Sequence, residues 1–203
     1  MKFIYILLTV FSIFAFTGCK DDEEVAPLKE STTIAQSSYT IEDVSTGVKY
    51  VLKRQGNGFI VEGHEDKVVM FDMYATYCPP CRKEAPHLTD LQSKYSDNLI
   101  IIALNTFEDV SDLYIDEEFR FSYGAFYFIS NSKHNNIIIN TVLEDINYKP
   151  SMQIPFKVMM KNGKYQKLTD TYGNNPNNNF YLGAVKSHVI EKDLLTIMKK
   201  HQN

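Results

Sequence analysis

The sequence predicts an α/β sandwich built around a mixed β-sheet, and three observations lead there. Residues 68–74 and 98–105 are apolar on both faces, the pattern of strands buried in the middle of a sheet. Strand-like runs alternate with segments whose apolar residues recur near every 3.6 positions. Near the C-terminal end, Lys161-Asn162-Gly163-Lys164 reads as a hairpin turn, followed by one closing helix.

At 203 residues the chain is long enough for one domain with appendages. Met1-Lys2 followed by the apolar run 3–16 fits the core of a signal peptide, being short of the ~20 residues that span a bilayer. The run ends in Phe16-Thr17-Gly18-Cys19 and then turns acidic. Small residues before that cysteine resemble a bacterial lipobox, with Phe16 where Leu is usual. On this reading residues 1–18 are the leader, Cys19 is acylated, and 19–38 form a flexible tether to a domain at 39–203. An uncleaved anchor, or an ordinary signal with an incidental cysteine, also places the domain outside the cytoplasm.

Within the domain, residues 39–44 and 48–52 form an N-terminal hairpin turning at 45–47, and a short strand at 59–61 follows Gly56-Asn57-Gly58. A helix covers 78–95, buries Ala85, Leu88, Leu91 and Tyr95, and contains a kinking Pro86. Residues 109–122 read as an acidic helix and 126–129 as a strand. The segment 133–147 fits either element and is taken as helix because it lies between strands. Residues 156–160 are a strand and the return strand starts near Tyr165. The stretch 172–179 is an Asn/Pro-rich loop, and 185–200 is a helix burying Ile190, Leu194, Ile197 and Met198.

The chemistry is concentrated at Cys78-Pro79-Pro80-Cys81. A cysteine at a strand's end, opening a helix, meets unpaired N–H groups and the positive end of the helix dipole, which stabilise a thiolate. Cys78 is thus the expected exposed nucleophile, and Cys81 the thiol that resolves a mixed disulfide. Neither intervening proline can donate an N–H, so the thiolate is only modestly stabilised and the pair is expected to be reducing. Asp72, six residues before Cys78 on an apolar strand, is expected to be buried, to titrate high, and to serve Cys81 as acid or base. The other reading puts it at a strand edge beside solvent. Glu84, in the first helical turn, is either a proton relay or a favourable N-terminal charge. Zinc is not expected, because there is no second CxxC and His64, His87, His134, His188 and His201 lack ligand spacing. A net charge of −4 with no basic block gives no support to nucleic-acid binding.

The run from Tyr74-Ala75-Thr76-Tyr77 through Cys78-Pro79-Pro80-Cys81-Arg82-Lys83-Glu84 resembles the active-site region of thioredoxin-fold proteins of the TlpA/ResA-like branch. Pro86, Asp72 and Glu84 fall where those proteins place a kinking proline, a buried acid and an active-site glutamate. The resemblance implies a thioredoxin-like sandwich with a helix-strand insertion at 106–131. It also implies a cis peptide at Ile154-Pro155, where Ile154, Pro155 and Tyr77 would contact substrate; a trans proline opening a strand is the ordinary alternative. Tyr74 and Tyr77 stand where tryptophans are usual and would keep an aromatic platform. Joined to the lipobox, the resemblance implies a lipid-anchored thiol-disulfide oxidoreductase with no cofactor beyond its own disulfide. It would reduce exported proteins, apocytochrome c among them, with electrons from a membrane-embedded DsbD/CcdA-type donor. Oxidase or isomerase action, and a non-enzymatic binding lipoprotein, are the rivals.

Overall fold

A computed structural model describes residues 37–200. The leader, Cys19 and nearly all of the tether lie outside the described residues. Two β-sheets organise the rest. β1 (Ser38–Glu42), β2 (Lys49–Gln55) and β3 (Gly58–Val61) form an antiparallel sheet in that order, so the expected hairpin gains a third strand. The main sheet is six-stranded and mixed. Its centre is β4 (Val68–Tyr74), parallel to β5 (Leu99–Asn105), which is in turn parallel to β6 (Phe128–Ser130). On its other side β4 pairs antiparallel with β7 (Phe156–Lys161), which also carries the short β8 (Lys164–Tyr165) and β9 (Tyr181–Leu182).

Alternation along β4 separates two apolar layers. Val68, Met70 and Tyr74 face α1 (Pro79–Lys94) and α4 (Ser187–Lys200), joining Ala85, Leu88, Leu91, Ile190, Leu194 and Ile197. Val69, Phe71 and Met73 face the three-stranded sheet and α3 (Asn135–Asp145), with Tyr39, Leu52, Phe59 and Val142. The ambiguous segment 133–147 is therefore helical. Ile138, Ile139 and Val142 give it a buried side.

The expected acidic helix is a four-residue α2 (Asp112–Ile115) running into a π-helical turn at Asp116–Phe121. Two consecutive residues of that turn are buried on different partners. Phe119 stacks on Tyr74 with ring centroids 4.3 Å apart, and Arg120 pairs with Asp43 at 2.7 Å. The strand expected at 126–129 starts at Phe128, because the Phe126 N–H is taken by the Thr89 hydroxyl at 2.8 Å. α4 starts at Ser187, where the Lys186 carbonyl accepts the Ile190 N–H at 3.4 Å, and Val185 lies before it with its N–H donated to Glu84 at 3.1 Å. The two-residue β9 was not foreseen: its sequence shows no apolar alternation long enough to mark a strand. The turn before β8 follows the expected form, with Asn162 at φ 52° and Gly163 at φ 68°. Among the described residues no helix is long and apolar enough to cross a membrane.

Candidate active site

β4 ends at Tyr74 and the chain reaches the helix through Ala75-Thr76-Tyr77. Two side chains brace this short link. The Glu108 carboxylate accepts the Thr76 N–H at 2.6 Å and its hydroxyl at 2.7 Å, and Arg82 Nε donates to the Thr76 carbonyl at 2.5 Å. Pro79 and Pro80 occupy the first helical positions, where no intrahelical N–H bond is lost. Cys78 is the N-cap residue, and its Sγ accepts the Cys81 N–H at 3.3 Å. Cys78 and Cys81 form a disulfide with Cα atoms 5.3 Å apart. No N–H arrives from the two prolines, so the Cys81 amide is the near donor, as the sequence implies.

Exposure departs from expectation. Cys78 is only 4% exposed and Cys81 3%, so the disulfide presents little surface, whereas neighbouring Tyr77 is 55% exposed. Tyr74 is fully buried in the α1/α4 layer against Phe119, so it belongs to the core and contributes no surface platform. Ile154-Pro155 is a cis peptide. Pro155 is buried, its carbonyl accepts the Gly183 N–H at 2.8 Å, and half-buried Ile154 packs against the cluster containing both cysteines. The disulfide and Ile154 of the cis-proline loop thus share one apolar cluster, and Tyr77 adjoins Cys78 along the chain.

Asp72 is buried, as expected for a residue in the middle of β4, and the strand-edge alternative is set aside. It lies on the α1/α4 face, between Met70 and Tyr74. Burial pushes its carboxyl up to about 7; the Lys157 ammonium opposes the rise and Glu84 adds to it. Glu84 differs from both of its expected roles in position. The helix begins at Pro79, so Glu84 falls in the second turn, on the buried face with Cys81, Ala85 and Leu88. Its Oε1 accepts the Val185 N–H, and its Oε2 lies 2.7 Å from Lys157 Nζ, a close ionic contact without good hydrogen-bond alignment. It is a paired interior charge, and the free N-terminal charge is ruled out by that pairing.

Lys157 was missed by sequence reasoning. It is 0% exposed, sits opposite Asp72 in the β4–β7 register, and places Nζ 3.9 Å from Asp72 Oδ1. The available signal was the same one that marked Asp72, a lone charge in an apolar strand, two residues after Pro155. A cleft of about 420 Å³ between α1 and the start of α4, with Lys83, His87, Val185, Lys186 and His188 in its wall, borders the buried Glu84. A larger hollow of about 500 Å³, beside the β1–β2 turn, has none of these residues in its wall. Among the described residues no cluster of three or more His, Cys, Asp or Glu could hold a metal ion.

Residues 51–147 match the family model described as thioredoxin. The chain is 26% identical over 118 residues to the thiol-disulfide oxidoreductase ResA of Oceanobacillus iheyensis, covering 56% of each chain. It is 33% identical over 93 residues to ResA of Halalkalibacterium halodurans, covering 45% of this chain and 51% of that one. The matched stretch thus spans about half the length of these curated relatives. Among solved structures, a thiol:disulfide interchange protein of Chlorobium tepidum superposes with a TM-score of 0.52 at 15% identity, covering 80% of this chain and 94% of that one. MTB dsbF gives 0.51 at 13%, covering 80% and 97%. At such identities these two likenesses concern the fold alone. The strand order, the CxxC at the N-terminus of α1 and the sequence matches lead to one conclusion: the described domain has a thioredoxin-like fold, residues 51–147 match the thioredoxin model, and ResA-type thiol-disulfide oxidoreductases are among its relatives.

Proposed function

We propose that this protein is an extracytoplasmic thiol-disulfide oxidoreductase that reduces disulfides in exported proteins. The observation that carries the reading is the Cys78–Cys81 disulfide at the N-terminus of α1, in one apolar cluster with Ile154 of the cis-proline loop. In the dithiol form, the Cys78 thiolate attacks a client disulfide, makes a mixed disulfide and releases one client thiolate. Cys81 then gives up its proton to a nearby base and attacks Cys78 Sγ, which restores the Cys78–Cys81 disulfide and expels the second client thiolate. Two electrons pass to the client, whose two thiolates take their protons from solvent, and a donor dithiol must re-reduce the pair. The disulfide itself is the redox centre, so the cycle calls for no cofactor. Asp72 is the proposed acid/base for Cys81, with Glu84 as its relay partner; Tyr77, Ile154 and Pro155 would form the surface on which an extended client segment lies.

Direction depends on the donors. Two prolines withhold N–H groups from Cys78, leaving the amide of Cys81 close by at 3.3 Å, so the thiolate is less stabilised than in a strong oxidant. A potential nearer that of thioredoxin, about −270 mV, than that of DsbA, about −120 mV, is expected, and a value above about −160 mV on that scale would assign the protein to oxidative folding instead. Acylation at Cys19 would hold the domain at a membrane, apocytochrome c haem-site thiols are a fitting client class, and a membrane-embedded DsbD/CcdA-type protein is a fitting donor.

Trapping tests the core of this reading. Cys81→Ser is expected to accumulate mixed disulfides through Cys78 in cells, and mass spectrometry of the captured proteins names the clients. Reduction of a model protein disulfide that survives Cys78→Ser would sink the proposal and favour a binding protein on a thioredoxin scaffold.

A further inference from the structure

Among the described residues three non-glycine positions adopt the left-handed backbone region: Phe107 at φ 64°, Asn147 at 53° and Asn162 at 52°. Asparagine tolerates that conformation, because its short polar side chain can bond locally. A bulky aromatic residue does not, and enters it only where its surroundings force it. Two anchors force Phe107. On one side the Thr106 N–H donates to the Tyr74 carbonyl at 2.9 Å, extending the β4–β5 ladder by a residue, and the Thr106 hydroxyl reaches Asn136 at 3.3 Å. On the other the Glu108 carboxylate holds the N–H and hydroxyl of Thr76. The Phe107 ring contributes little to the fold in return: it is 57% exposed and belongs to neither apolar layer. An exposed ring on a strained backbone has its use outside the folded domain.

The hydrogen bonds between Glu108 and Thr76 set the backbone of Phe107 beside the link that leads through exposed Tyr77 to Cys78. Pro79, on the far side of Cys78, is exposed as well. The disulfide itself shows almost no surface, so a client sulfur reaches Cys78 only with neighbouring client residues laid against this rim. The two charged side chains that brace the link, Glu108 and Arg82, are spent on Thr76, which leaves the rim to Tyr77, Pro79 and Phe107. We propose that Phe107 is a specificity-determining residue for the thiol exchange: with Tyr77 it takes an apolar client side chain next to the reacting cysteine, so that cysteines in apolar surroundings are favoured over those in polar ones. This rests on the oxidoreductase reading above. The occupant is a client segment because the surface is continuous with the Cys78 site that each client must reach.

Phe107→Asn and Phe107→Leu test this assignment. Asparagine suits the left-handed backbone and lacks the ring, whereas leucine keeps an apolar side chain. The substrates are two short peptides, each supplied as its symmetric disulfide, with leucines flanking the single cysteine in one and serines in the other. In a single turnover the pre-reduced protein becomes oxidised and two peptide thiols are released. The wild type is expected to react about five- to tenfold faster with the leucine peptide. That ratio is expected to fall close to one in Phe107→Asn, through weaker half-saturation, and to be largely kept in Phe107→Leu. Phe107→Asn is also expected to melt at or above the wild-type temperature. A second readout needs no thiol chemistry: NMR titration of the oxidised protein with the same peptides, serine replacing their cysteine, should follow the same order. Equal wild-type rates for both peptides, or a selectivity unmoved by Phe107→Asn, overturns the proposal. So does a lowered melting temperature, which would give the ring a structural role, or a wild-type dimer in sedimentation that Phe107→Asn abolishes, which would make a second copy the occupant. A wild type that reduces neither peptide while binding the leucine analogue through Phe107 overturns the oxidoreductase reading instead, and one that does neither overturns both.

Discussion

At the scale of single residues the costliest feature is Asp72, a carboxyl held in an apolar layer. Its burial has a consequence for stability that can be read with its sign. Below about pH 3 the carboxyl is protonated in the fold and largely so in the unfolded chain, whose value is close to 3.8, and near pH 4 the penalty is still small. As pH rises toward the folded value of about 7, the unfolded chain ionises first, and native stability falls until it levels off above 7. Asp72→Asn removes that dependence. In the oxidised protein the variant is expected to match the wild type near pH 4 and to be a few kcal/mol more stable at pH 8. Urea unfolding at pH 4, 6 and 8 measures the difference, and a difference that does not grow with pH would show that Asp72 is not held protonated. Much of this residue's setting was legible, because an Asp in a doubly apolar strand announces a buried acid. Its partner was not read, although Lys157 interrupts Phe156–Lys161 in the same way. What was illegible is the register that sets Lys157 opposite Asp72, a pairing between positions 85 residues apart in the chain (157 − 72).

At the scale of elements, the helix expected at 109–122 is helical over 112–121 but widens into a π-helical turn. Periodicity describes one face, whereas this turn must supply two neighbouring residues to two places. Arg120 reaches across to Asp43, at the end of β1, with both carboxylate oxygens within 2.9 Å, and also pairs with Asp116 at 2.9 Å. Asp43 in turn accepts the Ile129 N–H at 2.8 Å and the Thr46 N–H at 3.0 Å. Burial alone would raise the Asp43 carboxyl, but these N–H groups and the Arg120 guanidinium outweigh it and hold it below its ordinary value. One ion pair thus ties the three-stranded sheet, the π-helical turn and the start of β6 together. Arg120→Met is expected to cost about 3–5 kcal/mol, since it strands a buried carboxylate. Adding Asp43→Asn should recover part of that loss. Denaturant unfolding of the two variants with the disulfide intact checks this, and an Arg120→Met protein as stable as the wild type would mean the pair is solvated and unimportant. No sequence pattern marks such a contact, because its partners are 77 residues apart.

At the scale of the whole molecule, the parts that were legible are the local ones. The run from β4 into α1 carries its meaning in consecutive residues, and so does the turn at Asn162-Gly163. How the three-stranded sheet lies on the main one depends on contacts between distant backbones, which hydrophobic pattern does not encode. Gly163 is the sharpest of these contacts. It adopts φ 68°, and a Cβ there would fall 2.1 Å from the Gln55 carbonyl oxygen on β2. Its own carbonyl oxygen lies 2.9 Å from where a Cβ on Gly58 would stand, at the start of β3. The β7–β8 turn therefore presses backbone to backbone on the β2–β3 hairpin, with no room for a side chain. Gly47, in the β1–β2 turn, has a similar φ of 72° and nothing within 4 Å of its absent Cβ. Gly47→Ala should cost about 1 kcal/mol, for the left-handed conformation alone. Gly163→Ala carries the same conformational cost and must also push the two sheets apart, so a loss on the order of 2–4 kcal/mol is expected. The difference between the two variants, taken from urea midpoints at constant slope, isolates what close contact between the sheets contributes. If the two losses are equal, the turn does not brace the second sheet, and that sheet must be held on the main one by its side chains and the Asp43–Arg120 pair.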